Sequence, residues 1–253
     1  MPTSLKKSLL LFCISLLIIS CKEEKLVVTK ISTKTIAVDT TIQSNKSYSK
    51  VISPYKQKMI TEINTKISFT LTDLTRNDGD LESSLGNLLA DLSYERANPV
   101  FNKLTGKNID FAMFNYGGIR AGITAGDVTN KNAFELMPFE NMLVVVELNG
   151  KQMVDLISYL EKRNTAHPVS KHFRLTLNKN NYTLNIKTKK FDKEKTYYVL
   201  TSDYLQSGGD NMVFFKNPLQ RISLEYKLRD AIVDYFKSVD TIKSKLDGRF
   251  KRE

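Results

Sequence analysis

Cysteine, histidine, glycine and proline are scarce in this chain of 253 residues, which has two, two, eleven and six of them. So little glycine and proline rules out a fibrous or low-complexity chain, and no self-similar period of roughly 20–50 residues points to a solenoid. Two histidines are too few for a binuclear metal centre, which needs several His and Asp ligands and an orienting His or Asn. They stand at 167 and 172, either side of Pro168, and no Asp-x-His or Gly-Asn-His run completes a site, so no metal is expected in this chain. A Gly-x-Ser-x-Gly elbow and a P-loop are also missing, and no residue of the chain is assigned a catalytic role. No apolar run reaches the roughly 20 residues of a membrane-crossing helix. The net charge of +11, from 38 Lys and Arg against 27 Asp and Glu, is spread along the chain. With no zinc-finger spacing or aromatic-basic run beside it, it makes a solvated surface, and no nucleic-acid partner is expected.

What is present suits one globular domain with an extra N-terminal part: 41% of residues are hydrophobic and 26% charged. A domain of roughly 200 residues buries about 70% of its unfolded surface and needs no disulfide. Lys6 and Lys7 precede an apolar run over 9–20, the order of a secretion signal. The run ends Ile18-Ile19-Ser20-Cys21 and resembles a bacterial lipoprotein signal, cut before the cysteine, whose thiol then carries the lipid. This implies a signal peptide over 1–20, a lipidated Cys21, and a location outside the cytoplasm on the bacterial cell envelope, held to the membrane by the anchor. Cys13 would leave with the signal, so Cys21 is an anchor and no disulfide forms within the mature chain.

Residues 21–50 are rich in Lys, Thr and Ser and have no aromatic residue before Tyr48, as a flexible tether would. The folded domain is expected over 51–253. Ser53-Pro54 starts a helix over 54–66, with Tyr55, Met59, Ile63 and Ile67 at helical spacing. A half-buried strand over 67–74 and a helix over 81–96 follow, the latter with Leu85, Leu88, Leu89 and Leu92 on one face. The apolar run 109–114 reads as a buried strand emptying into a loop. A strand over 142–148 leads to a helix over 151–163, then a hairpin of 173–177 and 182–186, a strand over 196–201 and a polar loop over 202–211. Leu224, Leu228, Ile232, Tyr235 and Phe236 mark a long amphipathic C-terminal helix. Helices and strands alternate without a regular βαβ repeat, so the fold class is α+β, with mixed sheets and packed helices.

Three segments stand out together: Glu82-Ser-Ser-Leu-Gly-Asn87, then Asn115-Tyr-Gly-Gly-Ile-Arg120 with Met137-Pro-Phe-Glu-Asn141, and Tyr204-Leu-Gln-Ser-Gly-Gly-Asp210. Read together, they resemble the C-terminal domain of the 5′-nucleotidase family, whose members hydrolyse nucleotides outside the cytoplasm. Leu148-Asn-Gly150 and Asp247-Gly-Arg249 extend the similarity over about 200 residues. The resemblance implies that Phe139 and Tyr204 clamp a base, Asn115 contacts its edge, Asp210 accepts from ribose hydroxyls, and Arg120 faces the phosphates. Gly117 and Gly118 would let their loop turn, and Gly208-Gly209 would let the backbone approach a ligand. Two departures stand out: Gly79 occupies a position where the family commonly has an arginine, with Arg76 the nearest one, and Ser170-Lys171-His172 replaces a Ser-Gly step, read as a surface variation.

In that family a separate N-terminal metallophosphatase domain holds two metal ions and performs hydrolysis. Only the signal and tether precede the resembling region here, so the resemblance implies the nucleotide-binding half of a split enzyme. It would bind a nucleotide or nucleoside, and the divalent metals would sit on a separate metallophosphatase chain. The alternatives are a non-catalytic nucleoside-binding lipoprotein and an interaction scaffold.

Overall fold

The computed structural model describes residues 26–179 and 181–253; the expected signal peptide, Cys21 and Asn180 lie outside them. The chain divides into two units, Met1–Ser49 and Lys50–Glu253. In the first, residues 26–45 carry neither helix nor strand and are exposed.

The elements run α1 (Lys46–Ile63), β1 (Lys66–Thr70), α2 (Ser84–Thr105), β2 (Phe111–Ala112), β3 (Gly126–Thr129), α3 (Asn130–Leu136), β4 (Met142–Leu148) and α4 (Gly150–Arg163). They continue with β5 (Phe173–Asn178), β6 (Asn181–Ile186), β7 (Lys189–Lys190), β8 (Tyr197–Ser202), the single-turn α5 (Asp203–Gln206), β9 (Gln220–Lys227), α6 (Leu228–Ser238) and β10 (Phe250–Arg252). Three sheets have the orders β1-β3, β10-β5-β6-β7 and β2-β8-β4-β9. The fold is α+β.

Local chemistry explains the two largest core helices. Ser83 caps α2 by accepting from the Gly86 N–H at 3.0 Å, and Gly106 closes it in the left-handed region at φ 71°. Between them the expected leucine face is buried and continues through Ala97 and Phe101. Asn149 and Gln152 form a reciprocal capping box at the start of α4, which buries Met153, Leu156, Ile157 and Leu160. Helix α2 packs on α6 and on β2 and β9.

Sheet register brings three loops to one end of the molecule's central sheet. Strands β2 and β8 are parallel, Phe111 facing Val199 and Ala112 facing Leu200, so both end on the same side. Strand β4 is antiparallel to β8, with Leu143 opposite Ser202, so it starts there. The segments after β2, before β4 and after β8 therefore converge, and loops at strand ends are where a rigid scaffold presents ligand-binding groups.

Several element expectations shift. Helix α1 begins at Lys46, not 54, because Asn45 accepts from the Ser47 N–H at 3.0 Å and acts as the cap. Pro54 falls mid-helix, in a stretch exposed throughout, so the carbonyl it frees is not shut away from solvent. No residue of α1 is buried, so its apolar spacing marks a surface face. Strand β1 ends at Thr70 and Leu74 makes an isolated bridge with Ile123. Leu224 lies in β9, and only Leu228 onward is helical. The 202–211 loop contains α5 and a 3-10 turn over Gly209–Asn211. Ser170 is fully buried, not superficial: its N–H donates to the Ala112 carbonyl and its Oγ accepts from the Ala112 N–H. His172 stacks on Tyr94 with ring centroids 3.9 Å apart.

Candidate functional site

After β2 the chain passes through Asn115 into a 3-10 turn, Tyr116–Gly118. Neither Gly117 nor Gly118 has positive φ, so their role is room, not turning. A Cβ on Gly118 would stand 2.8 Å from Asn115 Oδ1, and one on Gly117 would meet Asp210 Oδ2 at 3.5 Å. Arg76 supports this turn, donating to the Ile119 carbonyl at 2.6 Å and lying over the Tyr116 ring at 4.5 Å. Arg120 is exposed, its Nη1 3.4 Å from the Gly117 carbonyl, and among the described residues it has no ion pair.

The segment before β4 holds Phe139 through its neighbours. Glu140 accepts hydrogen bonds from Lys227 and Arg229, which hold its carboxyl down at about 2, and Arg229 is itself buried over the Phe134 ring. The Leu228 N–H donates to the Asn141 carbonyl. With its loop fixed on both sides, the Phe139 ring remains 40% exposed.

After β8, Ser202 caps α5 and places Tyr204 on it, 44% exposed. Gly208 takes φ +95°, and Asp210 follows in the left-handed region at φ 51°. Gly209 serves an internal approach: a Cβ on it would stand 2.5 Å from the Tyr204 ring. Both Asp210 carboxylate oxygens are engaged, Oδ2 accepting from Asn115 Nδ2 at 2.6 Å and Oδ1 from the Tyr204 hydroxyl at 2.9 Å. That hydrogen bond, followed by burial, holds the Tyr204 hydroxyl above the ordinary phenol range.

These loops enclose a cleft of about 310 Å³ lined by Asn115, Gly117, Gly118, Arg120, Phe139, Asn141, Tyr204 and Asp210. It unites seven of the nine residues singled out from the sequence; Gly208 and Gly209 are not among its lining, and Gly209 lies behind the Tyr204 ring. Among the described residues neither exposed ring stacks on another aromatic side chain. Sequence reading missed Asn141 as a lining residue, although it ends the Pro-Phe segment, and missed Arg229, Tyr159 and His167, which support the loops from other elements. Gly79 lies away from the cleft, and a Cβ there would meet the Glu82 carbonyl oxygen at 2.6 Å, so this backbone has no space for arginine.

The residues present do not fit a metal centre. No three His, Cys, Asp or Glu side chains cluster as ligands among the described residues. His167 is buried, and its Nδ1 accepts from the Tyr116 N–H at 3.2 Å, which puts the ring hydrogen on Nε2. Burial pushes this imidazole down to about 4, Asp210 opposing and Arg163 adding to the shift. In the unfolded chain the ring titrates near 6.5, so the unfolded state binds the extra proton between these values. The stability from neutral His167 is complete above about pH 6.5 and is lost as pH falls towards 4, by on the order of 3 kcal/mol. Thermal melts from pH 7 to 4 are expected to show a steeper loss for the native protein than for His167→Gln; equal slopes would assign the acid sensitivity elsewhere.

Residues 59–217 match the family model described as the 5′-nucleotidase C-terminal domain. The trifunctional nucleotide phosphoesterase protein YfkN of Bacillus subtilis is 27% identical over 235 residues, 85% of this chain and 16% of that protein. Protein UshA of Escherichia coli is 28% identical over 183 residues, 67% of this chain and 30% of its own length. This chain thus spans less than a third of either relative. Among solved structures, a 5′-nucleotidase precursor from Thermus thermophilus superposes with a TM-score of 0.65 over 80% of this chain and 42% of that one, at 22% identity, and so shares the fold. The family match runs from within α1 to Asn217 and takes in all three cleft-forming loops; the chain belongs to the 5′-nucleotidase C-terminal domain family.

Proposed function

We propose that this domain is the nucleotide-recognising half of a 5′-nucleotidase, working with a metallophosphatase on a separate chain. Phe139 and Tyr204 hold the base between them, Asn115 contacts its edge, Asp210 accepts from the ribose hydroxyls and Arg120 faces the phosphate. The observation that carries this reading is the pairing, in one cleft, of two half-exposed aromatic rings with a carboxylate between Asn115 and Tyr204. An aromatic face stacks on any base, and an ionised acceptor suits a diol. In the free protein the Asn115 and Tyr204 donors stand where a ligand competes for the carboxylate, so binding exchanges hydrogen bonds and does not strand them. Arg120, exposed and among the described residues engaged only by a long contact to Gly117, is available to an anion. The metals belong to the partner in this scheme, since the ligand set of this domain does not fit them. Cys21, carrying lipid on the bacterial envelope, would keep both halves at one membrane.

Titration calorimetry of the purified chain with adenosine, AMP and UMP tests the recognition half, and silence at millimolar ligand would refute it. Affinity capture from native membranes tests the partnership; no metallophosphatase recovered, with both chains detectably expressed, would leave a nucleoside-binding lipoprotein without hydrolysis. Gly79 favours weight on the nucleoside over the phosphate, since no second arginine lines the cleft.

The Gly209–Tyr204 contact gives a sharper test. Gly209→Ala drives a methyl group into the Tyr204 ring and is expected to lower nucleoside affinity towards that of Tyr204→Ala while shifting the melting temperature little. Native affinity in Gly209→Ala would show that the ring position does not matter.

A further inference from the structure

Tyr159 does not line the cleft, yet it reaches the residue on which ribose recognition would depend. Its hydroxyl donates to the Asp210 backbone carbonyl at 2.9 Å, and Arg163 Nη2, one turn further along α4, approaches the same oxygen at 3.3 Å. The Tyr159 ring is itself set from two sides, against Phe214 and His167, each with centroids 5.4 Å away. Its target needs holding. Asp210 at φ 51° and Asn211 at φ 60° are consecutive non-glycine residues in the left-handed region, which L-residues adopt only where the surroundings over-determine it. The carbonyl that Tyr159 grips belongs to Asp210 itself, so the contact fixes the backbone directly bonded to the Cα that carries the carboxylate held by Asn115 and Tyr204.

His167 performs the matching task for the opposite loop. Its Nδ1 accepts from the Tyr116 N–H at the start of the Gly117-Gly118 turn, and its ring packs on Tyr159. The two loops whose side chains meet at Asn115–Asp210 are thus tied from behind to one Tyr159–His167 pair.

We propose that Tyr159 is a positioning residue for ribose recognition: by fixing the Asp210 backbone it sets how strongly the site prefers a ligand with a ribose diol to one without. The proposal rests on the reading of Asp210 given above. It acts through one ligand feature, which separates it from a general contribution to folding.

The test is calorimetric titration of the full chain with adenosine and with dideoxyadenosine, which lacks both ribose hydroxyls. The native protein is expected to favour adenosine. Tyr159→Phe removes one hydroxyl and is expected to weaken adenosine binding by about fivefold, the range for one hydrogen bond, while dideoxyadenosine affinity stays within twofold. Arg163→Met, acting on the same carbonyl, is expected to give a smaller loss of the same selectivity, and carries the test if Tyr159→Phe does not fold. Equal losses for both ligands, or no loss for either, would overturn the positioning role while leaving nucleoside recognition in place. A native protein that binds neither ligand, or both equally, would overturn the role assigned to Asp210 and this proposal with it.

Discussion

Replacing both Phe139 and Tyr204 with alanine is expected to weaken nucleoside binding by roughly 30-fold or more. Base–aromatic stacking is worth about 1–3 kcal/mol per base by alanine substitution, so each single variant should lose roughly 5- to 150-fold. Because both rings would contact one base, their losses need not add. The free protein keeps both rings 40–44% exposed although more than forty apolar side chains are buried elsewhere. Their loops are not slack: Glu140, Lys227 and Arg229 hold the backbone beside Phe139, and Gly209 lets Tyr204 lie close over the chain. Two exposed rings on fixed backbone, both lining one cleft, can meet a planar ligand with little reorganisation of their loops, which is why the loss should be large. Calorimetry with adenosine, beside melts showing both variants folded, measures it. Near-native affinity in the double variant would sink the aromatic clamp and with it the nucleoside reading.

The parts of this site that are legible in the sequence come through the resemblance of three short segments to a known family. Asn115, Gly117 and Gly118, Phe139 after Pro138, and Gly209-Asp210 stand in short polar or glycine-bearing segments between apolar runs, where turns are written in residue type. Tyr159, His167 and Arg229 act across separations of 51, 51 and 90 residues. Nothing near them in sequence marks a partner, and only the pairing of β2 and β4 with β8 brings their targets together. The misplaced elements follow the same logic. Leu224 and Leu228 are four apart, as on a helix, but Glu225 at φ 48° breaks the chain between them and the register slips opposite Met142–Val144. Tyr55 and Met59 have helical spacing and do lie on a helix, yet periodicity cannot say whether an apolar face is buried, and theirs is not.

Stability should depend most on a residue far from the cleft. Arg249 is 3% exposed and its guanidinium is saturated: Nη1 and Nη2 donate to the two oxygens of Asp91 at 3.0 Å, Nε and Nη2 to Asp247 at 2.9 and 2.8 Å, and Nη1 to the Val169 carbonyl at 3.0 Å. Burial pushes the Asp247 carboxyl up, but the hydrogen bond and charge of Arg249, with Arg174 adding, more than reverse this and hold it below the usual range. The amides of Asp247 and Gly248 also donate to Glu82, whose carboxylate accepts from Asn87 on α2. One guanidinium thus joins α2, the segment before β5 and the approach to β10. Arg249→Met leaves Asp91 without its cation and Asp247 with only Arg174, at 3.7 Å, and is expected to cost about 3–5 kcal/mol, a large part of the roughly 5–15 kcal/mol that holds a domain folded. Because much of that cost is the stranded charge and not the value of the ion pair, Arg249→Met with Asp91→Leu and Asp247→Leu should recover part of it. Urea midpoints decide the matter: a loss under about 1 kcal/mol in Arg249→Met would mean that water already screens the network. Adenosine affinity per folded molecule should be unchanged in either variant, since none of these side chains lines the cleft.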